Sequence, residues 1–184
     1  GRRTASGPAR GRPAVSGRSE RPVRRLGVSS GSGDVVLRLT RKGGFTDRRL
    51  TVEFYGDGRL ERIETHASGE ELNRSRTKLS AAELHAIDSL AVEHGLMDAG
   101  TDVVLPGFVN AAADVQDAGI DVIEVKLMDY VAPGHAGGPA STRLSVKGGY
   151  WLAREFPESR ELQGFMAVLE RISSIERALP RTSP

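Results

Sequence analysis

The sequence predicts an α+β domain: an antiparallel sheet of four to five strands with two amphipathic helices on one face, in the order ββ(β)αββα. Three observations predict it. Residues 35–40 and 50–55 alternate apolar and polar side chains at the period of a strand. Leu79-Ser80-Ala81-Ala82-Glu83 carries a helix start signal. Leu162, Phe165, Met166, Leu169 and Ile172 recur at helical spacing.

Each element follows in turn. Val35, Leu37 and Leu39 alternate with Val36, Arg38 and Thr40 as a first strand. Arg41-Lys42-Gly43-Gly44-Phe45 breaks that alternation with glycines that tolerate positive φ. Leu50, Val52 and Phe54 oppose Thr51, Glu53 and Tyr55 in a second strand. Gly56-Asp57-Gly58 reads as a hairpin turn into a third, less regular strand over 59–65. Residues 66–78 are polar and read as a loop. Ser80 and Glu83 then form a capping box, with Leu79 and Leu84 as a hydrophobic staple. Leu84, Ile87, Leu90 and Ala91 give the helix its apolar stripe, and His94-Gly95-Leu96 reads as a glycine cap with a buried follower. A long loop is expected over 98–119. Residues 120–130 form the longest strand candidate, 132–139 read as irregular, and 142–147 as the last strand. Gly148-Gly149-Tyr150-Trp151 reads as a strand end whose aromatic rings fill the core, since Trp is usually mostly buried, with an exposed aromatic anchor as the alternative. A closing helix spans about 158–179. Hairpin-length connections favour antiparallel pairing.

The 184 residues suffice for one domain with a sizeable core. Residues 1–33 are Gly, Arg, Ser, Pro and Ala with few large apolar side chains, and read as a disordered tail. The domain is expected over 34–180, with a flexible C-terminus at 181–184. Charge divides along the same line. Residues 1–30 hold eight arginines and one acid, a charge of +7, so the total of +2 leaves −5 for residues 31–184. The domain is mildly acidic and the tail strongly basic. The sequence has no cysteine, which excludes disulfides, thiolate metal sites and a cysteine nucleophile. No apolar run is long enough to cross a membrane. The chain starts at Gly1, and Arg2-Arg3 leads into no apolar stretch. A cytoplasmic location is expected, with export open if a signal has been removed.

The chemistry-bearing residues point away from catalysis. Gly27-Val28-Ser29-Ser30-Gly31 matches the G-x-S-x-G nucleophile elbow, but the expected flexible tail supplies neither the strand before the serine nor the helix after it. His85 and His94 face opposite sides of one helix, and His66 and His135 lie in loops, so no metal-ligand spacing arises. Asp114, Asp117, Asp121 and Glu124 surround Gly119, yet Val125 stands where a calcium loop needs its Glu. No catalytic residue, metal or cofactor is expected, and the domain reads as a non-enzymatic binding domain. Arg10-Gly11-Arg12-Pro13, with Arg24 and Arg25, provides a second reading: an interaction module whose tail contacts nucleic acid or another polyanion.

The stretch Val36-Leu37-Arg38-Leu39-Thr40-Arg41-Lys42-Gly43-Gly44-Phe45, followed by the strand at 50–55, resembles the opening of the emfourin family. Leu79-Ser80-Ala81-Ala82-Glu83 and the 162–172 stripe occupy the places of that family's two helices. A second bacterial α+β family has a similar order of elements and a hairpin like Gly56-Asp57-Gly58. The emfourin resemblance implies a protein inhibitor of thermolysin-like zinc metalloproteases, with a metalloprotease as partner. It implies contact through Gly43, Gly44 and Phe45, the Phe filling a hydrophobic subsite. The loop at 101–119, the connector at 131–140 and the basic tail depart from the family layout.

Overall fold

The computed structural model describes residues 25–44, 46–99, 103–104 and 118–179. Its first strand, Arg25–Gly27 (β1), lies inside the stretch expected to be a disordered tail. Four strands of eight residues follow as a meander: Val35–Lys42 (β2), Arg48–Tyr55 (β3), Arg59–His66 (β4) and Glu71–Lys78 (β5). Helix Ala81–Glu93 (α1) leads to a 3-10 turn at Leu96–Ala99 and a two-residue strand, Val103–Val104 (β6). Then come Ile120–Leu127 (β7), Asp129–Ala132 (β8), His135–Ala136 (β9) and Ala140–Lys147 (β10). Two helices close the chain, Gly149–Glu155 (α2) and Arg160–Ala178 (α3).

The main sheet has the order β5-β4-β3-β2-β7-β10-β6, antiparallel throughout except that β6 pairs parallel to β10. A small second sheet has the order β1-β8-β9. Period-two alternation gives the main sheet two unlike faces. Leu37 and Leu39 lie opposite Phe54 and Val52 on one side and Val125 and Ile123 on the other. This apolar face joins Ile87 of α1 and Leu162, Phe165, Leu169 and Ile172 of α3 in one buried core. The opposite face is charged. One row crosses six strands in register: Arg76, Glu61, Glu53, Arg38, Glu124, Arg143. Arg38 bonds both Glu53 at 2.9 Å and Glu124 at 3.0 Å, and Arg143 reaches Glu124 at 3.3 Å. Burial opposes the Arg38 charge, but its two carboxylate partners hold the guanidinium above its ordinary pKa. Glu61 is 2% exposed and receives Arg59, Arg74 and Arg76. The adjacent Glu53 is relieved by the Tyr55 phenol, which donates to it at 2.7 Å.

The helices start where their caps dictate. The Ser80 hydroxyl accepts from the Glu83 amide and the Glu83 carboxylate accepts from the Ser80 amide, completing the expected capping box. Those bonds hold the Glu83 carboxyl below its ordinary pKa. Ser159 caps α3 through the Leu162 amide. The helices meet closely at Gly164, where a Cβ would lie 2.7 Å from the His94 Cβ. Gly58, in the β3–β4 turn, has φ +86° and its Cβ position lies 2.4 Å from the Leu79 carbonyl oxygen. Gly58→Ala is therefore expected to cost about 1–3 kcal/mol in urea unfolding, through backbone strain and a collision the chain must relax. An unchanged midpoint would show that the turn yields freely.

The structure keeps the α+β class and antiparallel pairing and corrects the details. More strands and one more helix are present than expected. Residues 25–33 are ordered because β1 pairs its backbone with β8, with Arg25 opposite Val131, and Leu26 and Val28 pack on the core. Arg59 also holds the Ser32 carbonyl at 2.7 Å. The rest of the expected tail, 1–24, and residues 180–184 lie outside the described residues. The polar stretch 66–78, expected as a loop, contains edge strand β5. The long strand expected over 120–130 breaks at Met128, whose amide bonds the Gly27 carbonyl, so the chain changes sheets there. The connector at 132–139 contains a tight hairpin: Pro133-Gly134 turns β8 into β9, with Gly134 at φ +82°.

Candidate functional site

Three strand ends meet at the β2–β3 loop. Gly43 and Gly44 leave β2 with φ of +77° and +81°, a conformation that glycine adopts without a Cβ penalty. Beside them Gly119, just before β7, comes close enough that a Cβ would lie 3.3 Å from the Lys42 carbonyl oxygen. Gly119 in turn accepts a hydrogen bond from the Gly148 amide at 3.0 Å, just after β10. Distant segments thus bring Gly43, Gly119 and Gly148 into one line. Gly148 is left-handed, with φ +66°, and starts α2 directly at the rim.

That helix start decides between two readings of the aromatic pair. Tyr150 and Trp151 do not fill the core but are 54% and 37% exposed, as the anchor alternative has it. They sit in the first turn of α2, whose buried residues are Gly149 and Leu152, so α2 turns its aromatic side toward solvent.

On the helix-covered face, the same end of the sheet holds a groove of about 440 Å³ lined by Arg41, Gly43, Thr46, Arg48, Arg62 and Glu64, with Leu50 at its base. Glu64 accepts from Arg48 at 2.9 Å and lies 3.5 Å from Arg62. Arg62 reaches Glu176 of α3 at 3.0 Å. Arg41 bonds Asp121 at 2.8 Å and Ser173 of α3 at 3.3 Å. Burial disfavours the Arg41 charge, yet the Asp121 bond and charge hold it above its ordinary pKa. The groove is a charge-balanced lattice of donors over an aliphatic floor. It offers guanidinium N–H groups to a carboxylate or a peptide carbonyl.

The other sequence candidates fall apart or lie elsewhere. Phe45, Arg10, Arg12 and Arg24 are outside the described residues. Arg25 is in β1, its side chain 72% exposed and 3.6 Å from Asp129. A strand does precede Ser29, contrary to expectation, because β1 is ordered. No helix follows, however: the chain turns into β2, and the Ser29 hydroxyl donates to Asp34 and accepts from the Gly31 amide. Asp121 and Glu124 point to opposite faces of β7, each held by arginine, so they cannot share a cation. No family model matches the chain, and no curated protein does.

Proposed function

We propose that the protein is a non-catalytic binding domain that engages a protein partner through the loop end of its sheet. The observation that carries this reading is the exposed Tyr150–Trp151 pair beside the glycine-hinged Gly43-Gly44 segment. Aromatic side chains in solvent next to a donor-lined groove match what protein interfaces use as anchors. The aromatic pair rests on a regular element, α2, so its backbone is held before binding. The sequence resemblance favours a thermolysin-like metalloprotease as the partner, with Phe45 entering the hydrophobic subsite.

Adding the protein at micromolar concentration to such a protease is expected to slow peptide cleavage. Phe45→Ala and the pair Tyr150→Ala/Trp151→Ala are each expected to weaken the effect roughly tenfold or more, as anchors do. Undiminished cleavage would end the metalloprotease reading. Inhibition that survives both sets of substitutions would move the contact surface away from this end.

A further inference from the structure

The charge of −5 over residues 31–184 is an average, and the two faces of the main sheet depart from it in opposite senses. On the face away from the helices, the in-register row and the arginines around Glu61 set five guanidiniums against three carboxylates. The row nearer the loop end adds Arg49, Lys42 and Lys147, with Arg49 opposite Lys42 and both Lys42 and Lys147 opposite Ile120. None of these three makes an ion pair among the described residues. Lys78 opposite Arg59 and Lys126 opposite Ser141 complete the cations at the other margin. Glu71, tied to Arg74, is the fourth acid. Among the described residues, ten cations and four carboxylates thus share one face, an excess of six.

We propose that this face is a nucleic-acid-binding surface that holds the phosphodiester backbone. Its unpaired cations stand at strand spacing, about 5 Å between Lys42 and Arg49 and about 10 Å from Lys42 to Lys147 across β7. That is a rigid array of charge, which a polymer of phosphates satisfies without base contacts. An acidic protein would want an aromatic or aliphatic anchor in the same surface. Among the described residues the Tyr55 ring on this face is already covered by the Arg59 guanidinium 3.7 Å above it, and the exposed Ile120 is flanked by Lys42 and Lys147, so charge outweighs apolar surface there. The sequence preceding β1 has the same chemistry, with seven arginines and one acid in residues 1–24 among Gly, Pro, Ser and Ala. The cationic face and the groove lie on opposite sides of the sheet and meet at its loop end, where Lys42 adjoins Gly43 and Lys147 adjoins Gly148.

The test uses the full chain, with fluorescence anisotropy on short duplex DNA, duplex RNA and single strands over a salt series. Binding is expected to weaken steeply with salt. Lys42→Glu/Arg49→Glu/Lys147→Glu is expected to lower affinity at low salt by about tenfold or more and to flatten the log–log salt slope by about three. The glutamine version of the same triple, checked by thermal unfolding, is expected to give the same flattening with a smaller loss. Trp151→Ala is expected to leave nucleic-acid binding unchanged. Comparison of the DNA and RNA arms identifies the natural polymer. An unchanged slope in both triples would assign binding to the N-terminal arginines and overturn the proposal. So would absence of binding at low salt, or polyglutamate bound as tightly as duplex.

Discussion

Asparagine at position 88 makes the domain more stable above about pH 4 and flattens its stability profile up to about pH 8. Asp88 sits in the buried stripe of α1 between Leu84 and Ala91, 0% exposed. Neither carboxylate oxygen has a hydrogen-bond partner among the described residues. Burial without a partner pushes its pKa from 3.8 up to about 8. At neutral pH the native state must therefore keep a proton that the unfolded chain has released. The sign follows directly: below the unfolded pKa both states hold the proton and nothing is lost. As pH rises toward 8 the unfolded state gains by ionising and the native state does not, so stability falls. Removing the ionisable group removes that loss, on the order of 5 kcal/mol at pH 7.5. Urea unfolding of Asp88→Asn and the parent at pH 4, 6 and 8 checks it. The two should nearly coincide at pH 4 and separate progressively. Parallel profiles would mean that the carboxyl is solvated in the native state.

Glutamine at position 61 has the opposite effect. Glu61 lies on the charged face in β4, next to edge strand β5, 2% exposed, with Arg59 at 2.7 Å, Arg76 at 2.9 Å and Arg74 also in contact. An amide keeps the shape and loses the charge. Three guanidiniums are then left converging on a neutral group, and removing one partner of a buried ionic cluster is costly even where forming the cluster gains little. Glu61→Gln is expected to lose about 2–4 kcal/mol in urea unfolding. Arg76→Ala, at a side chain 61% exposed, is expected to lose less than about 1 kcal/mol. A Glu61→Gln protein as stable as the parent would show that the row is surface decoration, and would weaken the case for a rigid cationic array.

Local signals carried the regular elements. The alternation of β2 and β3, the Ser80–Glu83 cap and the stripe of α3 all lie within single windows, and each forms as its pattern implies. Strand β5 escaped because its residues toward the helices, Asn73, Ser75 and Thr77, are polar, while its other side carries Arg74, Arg76 and Lys78. Its order comes from pairing with β4 and from Glu61, neither visible in the segment itself. Helix α2 was hidden by the glycines that open it, and the usual burial of Trp pointed the wrong way for Trp151. Of the site, Gly43-Gly44 was legible as a loop. Its neighbours Gly119 and Gly148 arrive from far along the chain, and the charged row exists only once register is set. Net charge averaged that row away.

The place of β2 bears on how the chain is made. Strand β2 sits between β3 and β7, and Arg41 meets Asp121 across 80 residues. Synthesis at about 5–20 residues per second leaves roughly 2–10 s between completion of the meander and completion of β7, in which the β2 edge has no neighbour. An unpaired edge of that kind invites association with other nascent chains. Arg38, Arg41 and Lys42 lie along that edge. Their charges, two of them later absorbed by Glu124 and Asp121, guard the growing sheet until β7 emerges from the ribosome.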